Sequence, residues 1–251
     1  IVSNETLPGE KWSVRVTPND GSDDGAGVMS NNVTINSPPV ITTLIVNTTI
    51  IGNTTDANVT AHNVSTDSDG DLVKLIYNWH RNGTSILLLN MPFERVNGTS
   101  LNNAWDYSGF GNNGSEQEGI LWNATAGYDG KGAYDFNGTR GYIEIGNNMA
   151  LGVGDFTLSA WVKFKDATLG GTDIIIGEKT DGFPYWGRVS QTATFRFGNT
   201  AGKFLNDACS SSLSNNVWYY LAITVKIYNS SHGNVTHYRD EELCNSALLD
   251  S

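Results

Sequence analysis

The stretch "FTLSAWVKF", residues 156–164, belongs to a series of long strand-like segments, and that series sets the fold class. Its companions are "SILLLNMPF" (85–93), "GAYDF" (132–136), "YIEIG" (142–146), "TDIIIGEK" (172–179), "TATFRFG" (192–198), "VWYYLAITVKIY" (217–228) and "VTHYRDEEL" (235–243). Turn-forming residues separate most of them and none keeps a helical period, so a large two-sheet antiparallel domain is expected from residue 85 onward. Trp161, Phe164, Trp186, Phe195, Phe197, Trp218 and Tyr220 fall mostly on these strands. Their default role is core packing, and the competing one is a sugar-stacking platform.

Upstream the segments are shorter. "KWSVRVT" (11–17) alternates as a half-buried strand should, "PNDGSDDGAG" (18–27) reads as a hairpin connection, and "VMSNNVTI" (28–35) supplies a second strand. "NSPP" at 36–39 breaks the ladder, because paired prolines cannot donate to it. "VITTLIV" (40–46), "ANVTAHNV" (57–64) and "LVKLIYNWHRNG" (72–83) then give the rhythm of a small sandwich.

With 251 residues the chain can bury a real core in one large β domain or two ordinary ones. Asp plus Glu total 26 against 15 Lys plus Arg, a formal charge of -11. That balance repels nucleic acid and anionic membrane surfaces and suits divalent cations. The longest apolar runs fall far short of the roughly 18 to 20 residues a membrane helix needs. The first residues, "IVSNETLPGE", lack an initiator Met, a basic n-region and an apolar h-region, so the chain is read as a piece of a longer exported protein.

The compartment follows from the sequons. N-x-S/T occurs at Asn4, Asn32, Asn47, Asn53, Asn58, Asn63, Asn82, Asn97, Asn113, Asn123, Asn137, Asn229 and Asn234, where chance would supply roughly 5. The excess points to N-linked glycans on an extracellular or cell-surface protein. In that compartment Cys209 and Cys244 are expected to form a disulfide, with two unrelated buried thiols as the alternative.

Within "WDYSGFGNNGS" (105–115), Gly109, Gly111 and Gly114 spell a dinucleotide-binding fingerprint. The mechanism of that fingerprint needs a strand entering the loop and a helix N-terminus leaving it, and neither flank supplies one. Asp67, Asp69 and Asp71 in "DSDGD" alternate as Ca²⁺ ligands can, though the EF-hand order fails; a solvated acidic turn is the other reading. Asp20, Asp23 and Asp24 lie in a similar turn. For catalysis the chain offers little. "YIEIG" carries Glu144 alone, where a glycosidase needs two facing carboxylates, and "EQE" (116–118) and "DEE" (240–242) read as solvated charge. His62, His80, His232 and His237 show no metalloprotease spacing, and there is no G-x-S-x-G elbow.

Six landmarks in order, from Leu87 to Asn229, carry a resemblance: "LLLNMPFE", "WDYSGFGNNGS", "GKGAYDFNG", "GYIEIGN", "DFTLSAWVKF" and "NVWYYLAITV". Together this run resembles the laminin-G-like, concanavalin-type jelly-roll modules of microbial surface proteins. The resemblance implies Ca²⁺ at the 105–115 loop through Asp106 and backbone carbonyls, with a partner carboxylate from a closing strand. "ELCNSALLDS" (242–251) departs from the family's closing pattern, so the last strands are expected to be shortened, replaced or donated by another copy.

Residues 11–85 resemble immunoglobulin-like repeats of such proteins, with the ending of the repeat placed first. The implied organisation is residues 1–36 as terminal strands of an immunoglobulin-like sandwich, 37–84 as first strands of one, and 85–251 as the jelly roll. Residues 1–36 would complete a neighbouring copy or pack on 37–84 of their own chain. The implied function is a non-catalytic extracellular structural or adhesion protein, self-associating as a unit of a glycosylated filament or surface layer. The alternative is a carbohydrate-binding module of a secreted enzyme.

Overall fold

The computed structural model of the chain describes residues 3–50, 54–94, 103–146, 154–167, 172–177, 185–189, 192–196, 204–206, 212–229 and 232–250. Asn53, Asn97, Phe197 and Cys209, singled out in the sequence, lie outside them. Apart from one 3₁₀ turn at Ser3–Glu5, every described element is a β-strand, and every described pairing is antiparallel. The chain divides into two compact units, Ile1–Leu75 and Ile76–Ser251.

In the first unit β1 (Lys11–Trp12) pairs with β4 (Val33–Thr34), and β2 (Arg15–Val16) with β3 (Val28–Met29). The expected strands at 11–17 and 28–35 are thus each broken in two. At the break the Val14 N–H donates to the Ser30 hydroxyl and the Ser30 N–H to the Val14 carbonyl, so a side chain interrupts the ladder. A longer ribbon follows, β5 (Val40–Thr48) against β6 (Val59–Thr66), with a bulge between Ile41 and Thr43. Leu44, Val46 and Val59 share one of its faces and all remain more than half exposed, Leu44 at 61%.

The second unit opens irregularly. The expected strand at 72–83 shortens to β7 (His80–Arg81), which forms a tight hairpin with β8 (Thr84–Ser85) across Asn82 and Gly83 at φ 53° and 83°. Most of "SILLLNMPF" is likewise unladdered. Its backbone is held by side chains and by the 105–112 loop: the Asn90 N–H donates to Asp106, the Tyr107 N–H to the Asn90 carbonyl, and the Leu88 carbonyl accepts the Asn112 amide. Beyond this lie a three-stranded sheet in the order β13 (Ile143–Ile145), β10 (Gly114–Glu116), β9 (Asn103–Ala104), and a hairpin of β11 (Ile120–Asn123) with β12 (Ala133–Phe136).

Two four-stranded sheets make the sandwich. One runs β14 (Phe156–Lys163), β19 (Trp218–Asn229), β20 (His232–Arg239), β21 (Glu242–Asp250); the other runs β15 (Thr172–Gly177), β16 (Tyr185–Val189), β17 (Thr192–Arg196), β18 (Phe204–Asn206). Between them Trp186 of β16, 1% exposed, packs with Leu221, Ile223, Val225 and Val235, flanked by Phe156, Leu158, Ala160 and Val162 of β14. Strict alternation along β14 sends those apolar residues inward and Thr157, Ser159, Trp161 and Lys163 outward. Truncating Trp186 to Ala costs about 3 to 5 kcal/mol at such a site. Within the segment expected to be atypical, Glu242–Asp250 forms the nine-residue β21 and pairs along the whole of β20.

Candidate functional site

Alternation that buries one face of β14 and β19 leaves the other face aromatic. The register sets Trp161 beside Tyr220 and Lys163 beside Trp218. Trp161 is 42% exposed and its ring meets Tyr220 at 5.4 Å and 48°. Tyr128 comes from the glycine-rich loop 124–132 between β11 and β12 and lies parallel on Trp161, centroids 3.5 Å apart and planes 10° apart. That loop is closed by the Gly127 N–H donating to the Lys131 carbonyl, and a Cβ on Gly127 would come within 2.8 Å of the same oxygen. Lys163 Nζ sits 5.0 Å from the centre of the Trp218 ring.

The end of this platform is acidic. Arg239 pairs with Glu242, so Asp240 and Glu241 alone join β20 to β21, at φ 50° and 71°. Positive φ at both central residues is the geometry of the hairpin turns that favour Asn-Gly, and Glu241 stands where Gly is preferred. The turn is clamped to β19: the Asp240 N–H donates to the Tyr220 carbonyl at 2.9 Å, and the Tyr220 N–H to Asp240 Oδ1 at 2.8 Å. Tyr128, Trp161, Trp218, Tyr220, Asp240 and Glu241 line a cleft of about 410 Å³. Core packing is the default expected of Trp161, Trp218 and Tyr220; these three line the cleft, whereas Trp186 is buried in the core and Phe164 packs against it. Tyr128 was missed, and Asp240 and Glu241 were read as solvated charge.

The 105–115 loop is tied by its own groups. Asp106 Oδ1 accepts the Asn90 and Ser108 N–H groups, both at 2.9 Å, and Oδ2 accepts the Ser108 hydroxyl at 2.6 Å and the Asn112 N–H at 2.9 Å. Partial burial pushes this carboxyl up; the four donors, led by the Ser108 hydroxyl, outweigh it and hold it below its ordinary value. Gly109 and Gly111 take φ 91° and 74°, and Gly114 enters β10 with Ile143 so close that a Cβ would collide. The fingerprint glycines therefore shape a turn and a strand. Asn113 is exposed, and its amide oxygen accepts the Asp106 N–H.

The other acidic turns have the same character. Asp67 Oδ1 accepts the N–H groups of Asp69 and Asp71, and Asp69 Oδ2 accepts the Ser37 N–H. Asp20 accepts from Asp23 and Ser22, which lower its carboxyl, the Asp23 N–H most. Among the described residues no three His, Cys, Asp or Glu converge as a metal site. With Asp106 saturated by internal donors, the side chains at this loop do not fit the Ca²⁺ site that the resemblance implies. Asn4, Asn32, Asn47, Asn58, Asn82, Asn123 and Asn137 are exposed, and Asn63 and Asn234 are half-buried.

Comparison with known proteins bears on the second unit. A family model described as the concanavalin A-like lectin/glucanases superfamily, of laminin-G type, matches residues 137–249. A solved structure of botulinum neurotoxin type C, whose uptake by cells depends upon interaction with two ganglioside molecules, is 16% identical with a TM-score of 0.42. The match covers 70% of this chain and 39% of that one, so the chain spans about two fifths of its length. No curated protein matches the chain. Residues 137–249, which hold five of the six cleft residues, are thus similar to a lectin- and glucanase-type module.

Proposed function

We propose that the chain is part of a non-catalytic, extracellular adhesion protein whose second unit binds carbohydrate in the aromatic cleft. One observation carries this reading: the parallel Tyr128 and Trp161 rings, both substantially exposed at a cleft that also offers carboxylate acceptors. A pyranose ring presents C–H groups to an aromatic face and hydroxyls at its rim, which matches flat π surfaces bordered by a few polar groups. The description of the matching family points to the same ligand class.

The arrangement does not favour hydrolysis. Asp240 and Glu241 are neighbours on one turn, and Asp240 is already bonded to the Tyr220 backbone. A glycosidase sets two carboxylates on opposite sides of the scissile bond. Titration with neutral oligosaccharides tests the reading: saturable binding that Trp161→Ala removes supports it, and product release from those sugars would contradict the non-catalytic part.

A second reading concerns the first unit, where Val16, Met29, Val33, Leu44, Val46 and Val59 are all more than half exposed. Edge pairing and face packing with another copy would cover them, as expected for a unit of a glycosylated filament or surface layer. Concentration-dependent assembly that is lost on deletion of residues 1–36 supports this reading, and a monomer at all concentrations counts against it.

A further inference from the structure

We propose that the cleft takes neutral pyranosides and turns away acidic ones, with Glu241 as the residue that sorts them; this rests on the carbohydrate reading above. Aromatic faces stack on a sugar ring whatever its substituents, so Tyr128, Trp161, Trp218 and Tyr220 supply affinity without reading charge. Charge is read at the rim, where Asp240 and Glu241 form one end of the cleft.

The two carboxylates are not equivalent. Asp240 Oδ1 is occupied by the Tyr220 N–H, which fixes it as part of the turn. Glu241 is exposed on the same turn, and no partner holds its carboxylate among the described residues. An ionised carboxylate only accepts hydrogen bonds, so it matches the paired hydroxyls of a neutral sugar and opposes the carboxylate of a uronic or sialic acid. Lys163 is a cation of this face, and its ammonium group lies over the Trp218 ring. Arg239 points into the other face of the sheet, where it is buried against Tyr219. A Glu at φ 71° in a turn that prefers Gly also places a strained backbone at the cleft wall.

The test titrates the whole chain with neutral gluco-, galacto- and manno-oligosaccharides, with their counterparts oxidised to uronates, and with sialylated oligosaccharides. Wild type, Glu241→Gln and Trp161→Ala are compared, and melting curves confirm that each variant is folded. Wild type is expected to prefer the neutral member of a pair by on the order of tenfold, a preference weakened by salt, as for a like-charge contact near a surface. Glu241→Gln brings the pair within a few-fold, and Trp161→Ala loses both. Equal binding of neutral and uronate ligands by wild type, or an unchanged ratio in Glu241→Gln, overturns the sorting role while leaving the carbohydrate reading intact. No binding by any saccharide overturns that reading itself.

Discussion

Tyr128 lies flat on Trp161, 3.5 Å between centroids, although the two come from a loop and a strand of different sheets. Each ring fixes the other, so the pair acts as one platform. Removing either ring takes away a stacking partner worth about 0.5 to 1.5 kcal/mol. Because Trp161 stands on the outer face, Trp161→Ala is expected to lower stability by no more than about 2 kcal/mol. Trp186→Ala, in the core, is expected to cost more, and paired melting curves of the two variants show the difference.

Replacing Glu241 with Gly should stabilise the protein. At φ 71° a side chain costs about 1 kcal/mol over glycine, and the flanking Asp240, at φ 50°, completes a favourable Asp-Gly hairpin turn. Urea unfolding is expected to show a higher midpoint with an unchanged slope. A lower midpoint would mean that the Glu241 side chain holds the turn together.

Asp106 is expected to matter for stability without a cation. Asp106→Ala leaves the N–H groups of Asn90, Ser108 and Asn112 without their acceptor and should cost about 3 kcal/mol. Because the folded carboxyl lies below its unfolded value, its contribution is full above the ordinary carboxylate range. It is lost as pH falls through the folded value. Adding a chelator at neutral pH should leave the melting temperature unchanged, and a marked drop would restore Ca²⁺ to this loop.

His237 gives a pH dependence in a higher window. It is buried in β20, its Nε2 has no hydrogen-bond partner among the described residues, and burial lowers its pKa from 6.5 to about 4. The unfolded chain therefore binds the extra proton between those values. Stability present above pH 6.5 falls as pH drops towards 4, by about 3 kcal/mol in total. His237→Leu should flatten that part of the stability profile, and an equally steep profile in the variant would assign the slope to other groups.

The jelly-roll half was legible where strands are long and one-sided. "FTLSAWVKF" and "VWYYLAITVKIY" alternate cleanly, and both became strands of the sandwich. Alternation alone could not say which aromatic faced inward: Trp161 sits between Ala160 and Val162, and its outward direction follows from the partner sheet that buries those neighbours. Tyr128 gave no periodic signal because it lies on a glycine loop. "VTHYRDEEL" read as one strand, since a hairpin turn made of Asp and Glu lacks the Asn-Gly mark. The 85–93 segment read as a strand from its apolar run, yet its backbone hydrogen bonds go to Asp106 and neighbouring side chains, a long-range choice invisible locally.

Carbohydrate binding in the aromatic cleft is tested by calorimetric titration of the full chain with a panel of neutral oligosaccharides, repeated on Trp161→Ala and Tyr128→Ala. At least one sugar is expected to bind the wild type, and each variant, still folded, to bind about tenfold or more weaker. Absence of binding across the panel, or equal affinity in the folded variants, would contradict it.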